Sequence, residues 1–273
     1  MIKIVVDSTA GIEKKFVIDN GLTVVPLKIL FSDEEYQEGY PGEYDSFYKK
    51  IEDTKEFPKT SLPSPALFNK VFTDLTKNGD EVICINISSS LSGTYNSASV
   101  AALDFGDKVS VIDSEGCCQT IFFLVEEMLD MIKAGNTKQE IVSSILELRS
   151  KTLMQFVPES LEYLKHGGRI SLISASLGSI LKIKPILLFK GGKLTNNRKV
   201  IGMNRAVNEL VNLISDNVKK IYVVCIGKSS YFEGLKEKVV EKFKDISVRF
   251  GEISPVMGTH VGPGTLGIAC INK

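Results

Sequence analysis

Tryptophan is absent from this chain, and histidine occurs only at His166 and His260. With so few imidazoles, neither a histidine-rich metal site nor a set of histidine acid–base centres is expected. The five cysteines are Cys84, Cys117, Cys118, Cys225 and Cys270. Cys117 and Cys118 are adjacent and have no second pair or nearby histidine, so zinc spacing is missing. Cys84, Cys225 and Cys270 sit in apolar strand-like runs and read as small core residues. An odd thiol count suits a reducing, cytoplasmic setting. The start, Met1-Ile2-Lys3-Ile4-Val5-Val6-Asp7, meets charge too early for a secretory leader. No apolar run approaches the roughly 20 residues of a membrane span, which leaves only transient membrane contact open. Net charge is also lacking: 33 basic side chains balance 33 acidic ones. Nucleic acid is therefore not an expected partner. No Gly-x-Ser-x-Gly elbow, Walker-type loop or acidic cluster occurs, so no cofactor or metal is called for.

Hydroxyl-rich turns are what the chain does have. Ser88-Ser89-Ser90-Leu91-Ser92-Gly93-Thr94-Tyr95 follows the apolar run 82–87 and precedes a helical pattern over 97–103. Strand, turn, helix is the implied order. A helix N-terminus leaves backbone N–H groups free, and glycine permits close approach. The turn is suited to a small anion, a carboxylate or a phosphate. Asp7-Ser8-Thr9-Ala10-Gly11 after strand 3–6, and Lys59-Thr60-Ser61-Leu62-Pro63-Ser64 before helix 66–75, share that chemistry. Any one of these could be a plain N-cap.

The 273 residues, 43% of them hydrophobic, suffice for two modest domains. Strands at 3–6, 23–30, 82–87 and 109–113 alternate with helices at 12–20, 45–51, 66–75 and 97–103. Continuous apolar strands between helices predict a mainly parallel α/β sheet. The pattern over 118–134 is apolar nearly all round and reads as a buried helix. Thr137 with Glu140 forms a capping-box signature for the next helix. Past residue 151 the composition shifts. Strands 183–189 and 193–200 flank Lys190-Gly191-Gly192, a hairpin signal. A helix is expected over 203–218, a strand over 221–226, a helix over 231–243 and a strand over 247–253. A glycine-rich loop at 258–267 and a strand at 268–271 follow. The expected architecture is α/β with two α/β domains. Residues 1–152 carry the hydroxyl turns on a mainly parallel sheet, residues 153–273 form a mixed sheet, and the ligand lies between them.

Six segments in this order resemble the DegV family. They are Asp7-Ser8-Thr9-Ala10, Thr60-Ser61-Leu62-Pro63-Ser64, Ser90-Leu91-Ser92-Gly93-Thr94-Tyr95, Leu161-Glu162-Tyr163-Leu164-Lys165-His166-Gly167-Gly168-Arg169-Ile170, Lys182-Ile183-Lys184-Pro185-Ile186-Leu187 and Thr259-His260-Val261-Gly262-Pro263-Gly264. Leu62 stands where many members carry glutamine. The resemblance implies a bacterial fatty-acid-binding protein, some of whose relatives are the acyl-carrying subunit of a fatty-acid kinase. It implies a bound long-chain fatty acid, a separate kinase subunit as partner, a place in phospholipid metabolism, and no catalytic group in the chain itself.

On that basis Thr60, Ser61, Ser92, Gly93, Thr94 and His260 are expected to bind the carboxylate. Asp7, Ser8 and Arg169 are supporting candidates. Arginine can grip a carboxylate with two parallel bonds, or simply order its loop. Asp7 would repel an anion, so its expected task is to fix the turn by accepting backbone N–H bonds. His166 reads as a surface residue. Ile121, Phe122 and Leu124 either face the acyl chain or belong to the core. Arg198, Lys199 and Arg205 either dock the partner or are simply solvated. The runner-up is a serine-dependent acyl hydrolase or acyltransferase, because Ser92 and His260 could meet in space. A third class is an interaction module with an incidental lipid.

Overall fold

A computed structural model of the chain describes residues 1–32, 34–173 and 183–273. Lys182, which opens one of the six segments above, lies outside the described residues. The chain begins with β1 (Ile2–Asp7), α1 (Lys14–Asp19), β2 (Thr23–Val25), β3 (Lys28–Leu30), β4 (Glu35–Gln37), α2 (Asp45–Thr54), β5 (Lys59–Ser61) and α3 (Pro65–Thr76). It continues through β6 (Glu81–Asn86), α4 (Thr94–Ala102), β7 (Val109–Asp113), α5 (Gln119–Lys133), α6 (Lys138–Leu148) and β8 (Thr152–Val157). Then come α7 (Glu162–His166), β9 (Ile183–Lys190), β10 (Lys193–Ile201), α8 (Met203–Asn212), β11 (Val218–Cys225), α9 (Phe232–Lys242), β12 (Ser247–Glu252), α10 (Pro255–Val261) and β13 (Leu266–Asn272).

The fold is α/β. A four-stranded sheet of order β2-β1-β6-β7 is parallel throughout. In β6, Val82 to Asn86 are all buried, as a strand covered on both faces requires. A six-stranded sheet of order β10-β9-β8-β13-β11-β12 is mixed, with β11 and β12 its parallel pair. The Gly191-Gly192 turn joins β9 and β10 with both glycines at positive φ, 55° and 70°. Helix α5 lies against β8 and β13. Its buried face runs from Gln119 through Val125, and its side chains join Ile83, Ile85 and Met154 in one apolar cluster. That cluster is continuous from Ile4 to Ile271, so both large sheets share a core.

The sequence reading needs four corrections. Residues 23–30 are two strands, because Pro26 lacks the N–H that a continuing ladder needs. The second piece, β3, pairs with β4 and β5 in a small antiparallel sheet that the sequence reading did not foresee. Thr60 and Ser61 accordingly stand on a strand rather than in a turn. The helix expected over 203–218 ends at Asn212, and Val218 already belongs to β11. The glycine-rich stretch around His260 is partly helical. Ser254 caps α10 by accepting from Met257 N–H, and Pro255 occupies its first turn.

Candidate functional site

The small sheet and α10 approach each other, and the site forms there. His260 Nε2 lies 2.9 Å from Thr60 Oγ1 across 200 residues of sequence. Together they line a cavity with Ser92 and Arg169. The rest of the wall is mostly apolar. Leu27, Ile87, Leu91 and Cys117 come from loops beside the first sheet. Phe156, Leu164, Phe189 and Leu194 come from β8, α7, β9 and β10, and Val256, Met257 and Val261 from α10. The space between the lining atoms, including the mouth, is about 590 Å³.

The polar end has a definite electrostatic character. Burial, then the charge of Arg169, pulls the His260 pKa down to about 4. The imidazole is therefore neutral at physiological pH. Its Nδ1 is buried without a hydrogen-bond partner among the described residues. If Nε2–H donates to Thr60 Oγ1, the Thr60 hydroxyl keeps its own proton to give to a ligand. Arg169 donates to the carbonyls of Gly167, at 2.6 Å, and Leu91, at 3.0 Å. Burial alone lowers its pKa, and it forms no salt bridge among the described residues. A half-buried guanidinium without a carboxylate is an electrostatic deficit that an anion would fill. Ser92 Oγ accepts from Thr94 N–H at 3.3 Å and lies 2.9 Å from Thr94 Oγ1. Ser92, one residue before the N-cap Gly93, thus holds the first N–H of α4 and faces the cavity as well.

The other sequence candidates are distributed around this centre. Ser61, Gly93 and Thr94 adjoin lining residues without being part of the wall. Side chains alternate along a strand, so Ser61 follows Thr60 on the opposite face. Thr94 is fully buried behind Ser92. Asp7 and Ser8 act from behind the wall. Asp7 accepts from Ile87 N–H at 2.7 Å and Thr9 N–H at 3.0 Å, and Ser8 Oγ accepts from Leu27 N–H at 2.9 Å. They hold Ile87 and Leu27 in place. Ile121, Phe122 and Leu124 are core residues away from the cavity wall; Phe122 meets Phe16 edge-on at 4.9 Å. From this region Cys117, just ahead of α5, reaches the cavity instead. His166 is exposed and stacks on Phe57 at 3.9 Å. Arg198 pairs with Glu209, and Arg205 is exposed on α8. Ser92 and His260 both face the cavity, but the hydroxyl partner of Ser92 is Thr94 and that of His260 is Thr60.

The sequence reading expects an apolar tunnel for the acyl chain but places it at Ile121, Phe122 and Leu124 and does not identify the residues of this wall. One signal was present in β8, where Met154 and Phe156 join the cluster beside α5, while Leu153 and Val157 face the second cluster with α8. Period-two alternation marks Phe156 as facing that side, though not that the side is hollow.

The chain matches the family described as "Uncharacterised protein, DegV family" over residues 1–273. It is 34% identical to a DegV domain-containing protein of Halalkalibacterium halodurans, across 98% of this chain and 97% of that one. Among solved structures it resembles a DegV family protein of Thermus thermophilus described as binding fatty acid. There the TM-score is 0.89 at 26% identity, covering 100% of this chain and 99% of the other. It also resembles a stearic acid-binding protein of Eubacterium ventriosum, with TM-score 0.88, 27% identity and the same coverage. The chain belongs to the DegV family.

Proposed function

We propose that this protein binds one long-chain fatty acid in the cavity between its two large sheets. The observation that carries the reading is an apolar cavity with one polar end, where Arg169 has no acidic partner among the described residues and the Thr60 and Ser92 hydroxyls converge with His260. The ligands named for the Thermus and Eubacterium relatives support it. Thr60, Ser92 and His260 hold the carboxylate and Arg169 neutralises it. Ser61, Gly93 and Thr94 support that end, with Asp7 and Ser8 bracing the wall. The acyl chain supplies most of the affinity. Burying a methylene is worth about 0.8 kcal/mol, so about 14 of them give roughly 11 kcal/mol before the cost of immobilisation. In this reading residues 1–152 and 153–273 are two units that meet at the cavity.

The protein acts as a carrier and not as a catalyst. A nucleophilic serine needs a base at its hydroxyl, and Ser92 is engaged with Thr94 instead. The carried acid is presented to a separate kinase subunit, which docks against Arg198, Lys199 and Arg205. Native mass spectrometry and lipid extraction of protein purified from a bacterial host test the binding. A stoichiometric co-purified fatty acid is expected. Lipid-free protein that also fails to bind added fatty acid would overturn the reading.

A further inference from the structure

Glu38 follows β4 and is 218 residues from Val256 in sequence, yet its Oε1 accepts the Val256 N–H at 2.7 Å. Val256 is the second residue of α10, the helix that brings Val256, Met257, His260 and Val261 to the cavity. Glu38 is only 4% exposed. Its other oxygen, Oε2, is buried with no hydrogen-bond partner among the described residues. The titratable groups around it are Asp7 on β1, Tyr44 just ahead of α2 and Tyr48 on it, and Cys118 ahead of α5, with Glu252 of β12 also facing the two tyrosines. None of these is a cation. The Ser8 and Ser254 hydroxyls also turn toward Glu38.

We propose that Glu38 is a positioning residue for the ligand-bearing helix, and that it takes up a proton when a fatty-acid carboxylate binds at the far end of that helix. The inference rests on the fatty-acid reading above. From Val256 to His260 is four helical residues, about 6 Å of rise. An ionised Glu38 and a ligand carboxylate would thus stand at the two ends of one short helix in apolar surroundings, where like charges repel most. One proton relieves the repulsion. Protonated Glu38 keeps a carbonyl oxygen at Val256 N–H, so α10 stays tethered, and Oε2 carries the proton. Burial, with a smaller contribution from Asp7, pushes the Glu38 carboxyl up to about 7. The free protein is therefore divided between both forms near neutrality. A bound anion shifts that division, and by linkage the proton favours the anion. His260, neutral above about pH 5, does not titrate in this range.

The test uses the full chain and a fluorescent long-chain fatty acid. Wild-type affinity is expected to weaken about three- to tenfold from pH 6 to pH 8.5, the order that one charge repulsion gives. Glu38→Gln keeps a carbonyl acceptor and cannot ionise, so it should hold the low-pH affinity throughout. Glu38→Ala loses the tether and should bind weakly at every pH. Calorimetry at pH 7 in two buffers of different ionisation enthalpy should show fractional proton uptake in wild type and none in Glu38→Gln. Binding without proton uptake, or uptake that persists in Glu38→Gln, overturns the inference and leaves the fatty-acid reading standing. No binding at any pH overturns the reading itself. If Glu38→Gln does not fold, carboxyl NMR of glutamate-labelled wild type reads the same event. The raised Glu38 titration should move higher on adding fatty acid, and a midpoint that stays put overturns the proposal.

Discussion

Gly167 sets the tightest steric constraint on the polar end of the cavity. Its φ is −72°, which any residue adopts, so its requirement for glycine is one of space. A Cβ there would lie 2.4 Å from His260 Nδ1 and 3.1 Å from the Tyr163 carbonyl. Gly167→Ala should push His260 away from Thr60. The cost of such overpacking, about 1–3 kcal/mol, should appear as a roughly 5- to 150-fold loss of fatty-acid affinity in a fluorescence titration. Thr60→Ala and Ser92→Ala each leave a bound carboxylate short of a donor, for a loss of about the same size. Unchanged binding in the double variant would place the carboxylate elsewhere. Long-chain nitrophenyl esters should give neither a burst nor an acyl group on Ser92, and peptide mapping checks this. His260 also makes stability depend on pH. Its pKa is lower folded, about 4, than unfolded, about 6.5, so the unfolded chain binds the proton first. Stability is full above about pH 6.5 and falls as pH drops toward 4, by at most about 3 kcal/mol. Glu38 has the opposite sign, since its folded pKa is raised from 4.5 to about 7. Its contribution is full below 4.5 and is lost as pH rises to about 7. Urea titrations of His260→Asn and Glu38→Gln over this range should remove the two slopes separately.

Helix α10 contributes more of the cavity lining than any other element. It carries four lining residues, and Tyr48 braces it by donating to the Ile253 carbonyl at 3.0 Å. Gly258 faces Tyr48, where a Cβ would come within 3.0 Å of the phenol oxygen. From sequence the stretch looked like a loop because Gly258, Gly262 and Gly264 dominate it. Pro255 at the first turn and Ser254 as cap outweighed them. Helix α5 shows the converse. Its all-round apolar character correctly placed it inside, but the same pattern describes a core helix and a channel wall. The capping box of α6 was legible outright, because all its partners lie within four residues. Glu140 Oε2 accepts from Thr137 N–H at 2.7 Å, and Thr137 Oγ1 accepts from Glu140 N–H at 3.3 Å. Thr137→Ala should cost about 1 kcal/mol in urea unfolding without altering ligand affinity, since α6 does not line the cavity.

On the scale of the whole molecule, binding and partner docking should separate. Reversing the charge of Arg198 and Arg205 should abolish acyl-phosphate formation with a cognate kinase subunit and spare fatty-acid binding. Raising salt from 0.1 to 1 M shortens the Debye length from about 10 to about 3 Å and should weaken docking far more than acyl burial. Retained phosphorylation by the charge-reversed protein would remove this patch from the docking surface. Local and periodic features were decided by the sequence itself. The parallel strands, the hairpin at Gly191-Gly192, the capping box and the balance of charge all follow from residues close in the chain. Tertiary structure alone decided the site. It brought Thr60 to His260 across 200 residues and Glu38 to Val256 across 218, and among the described residues it left Arg169 without a carboxylate. Hydrophobic periodicity specifies which face of an element is buried. Whether the faces that meet there close completely or leave a cavity depends on how their side-chain volumes fit, and no single segment carries that information.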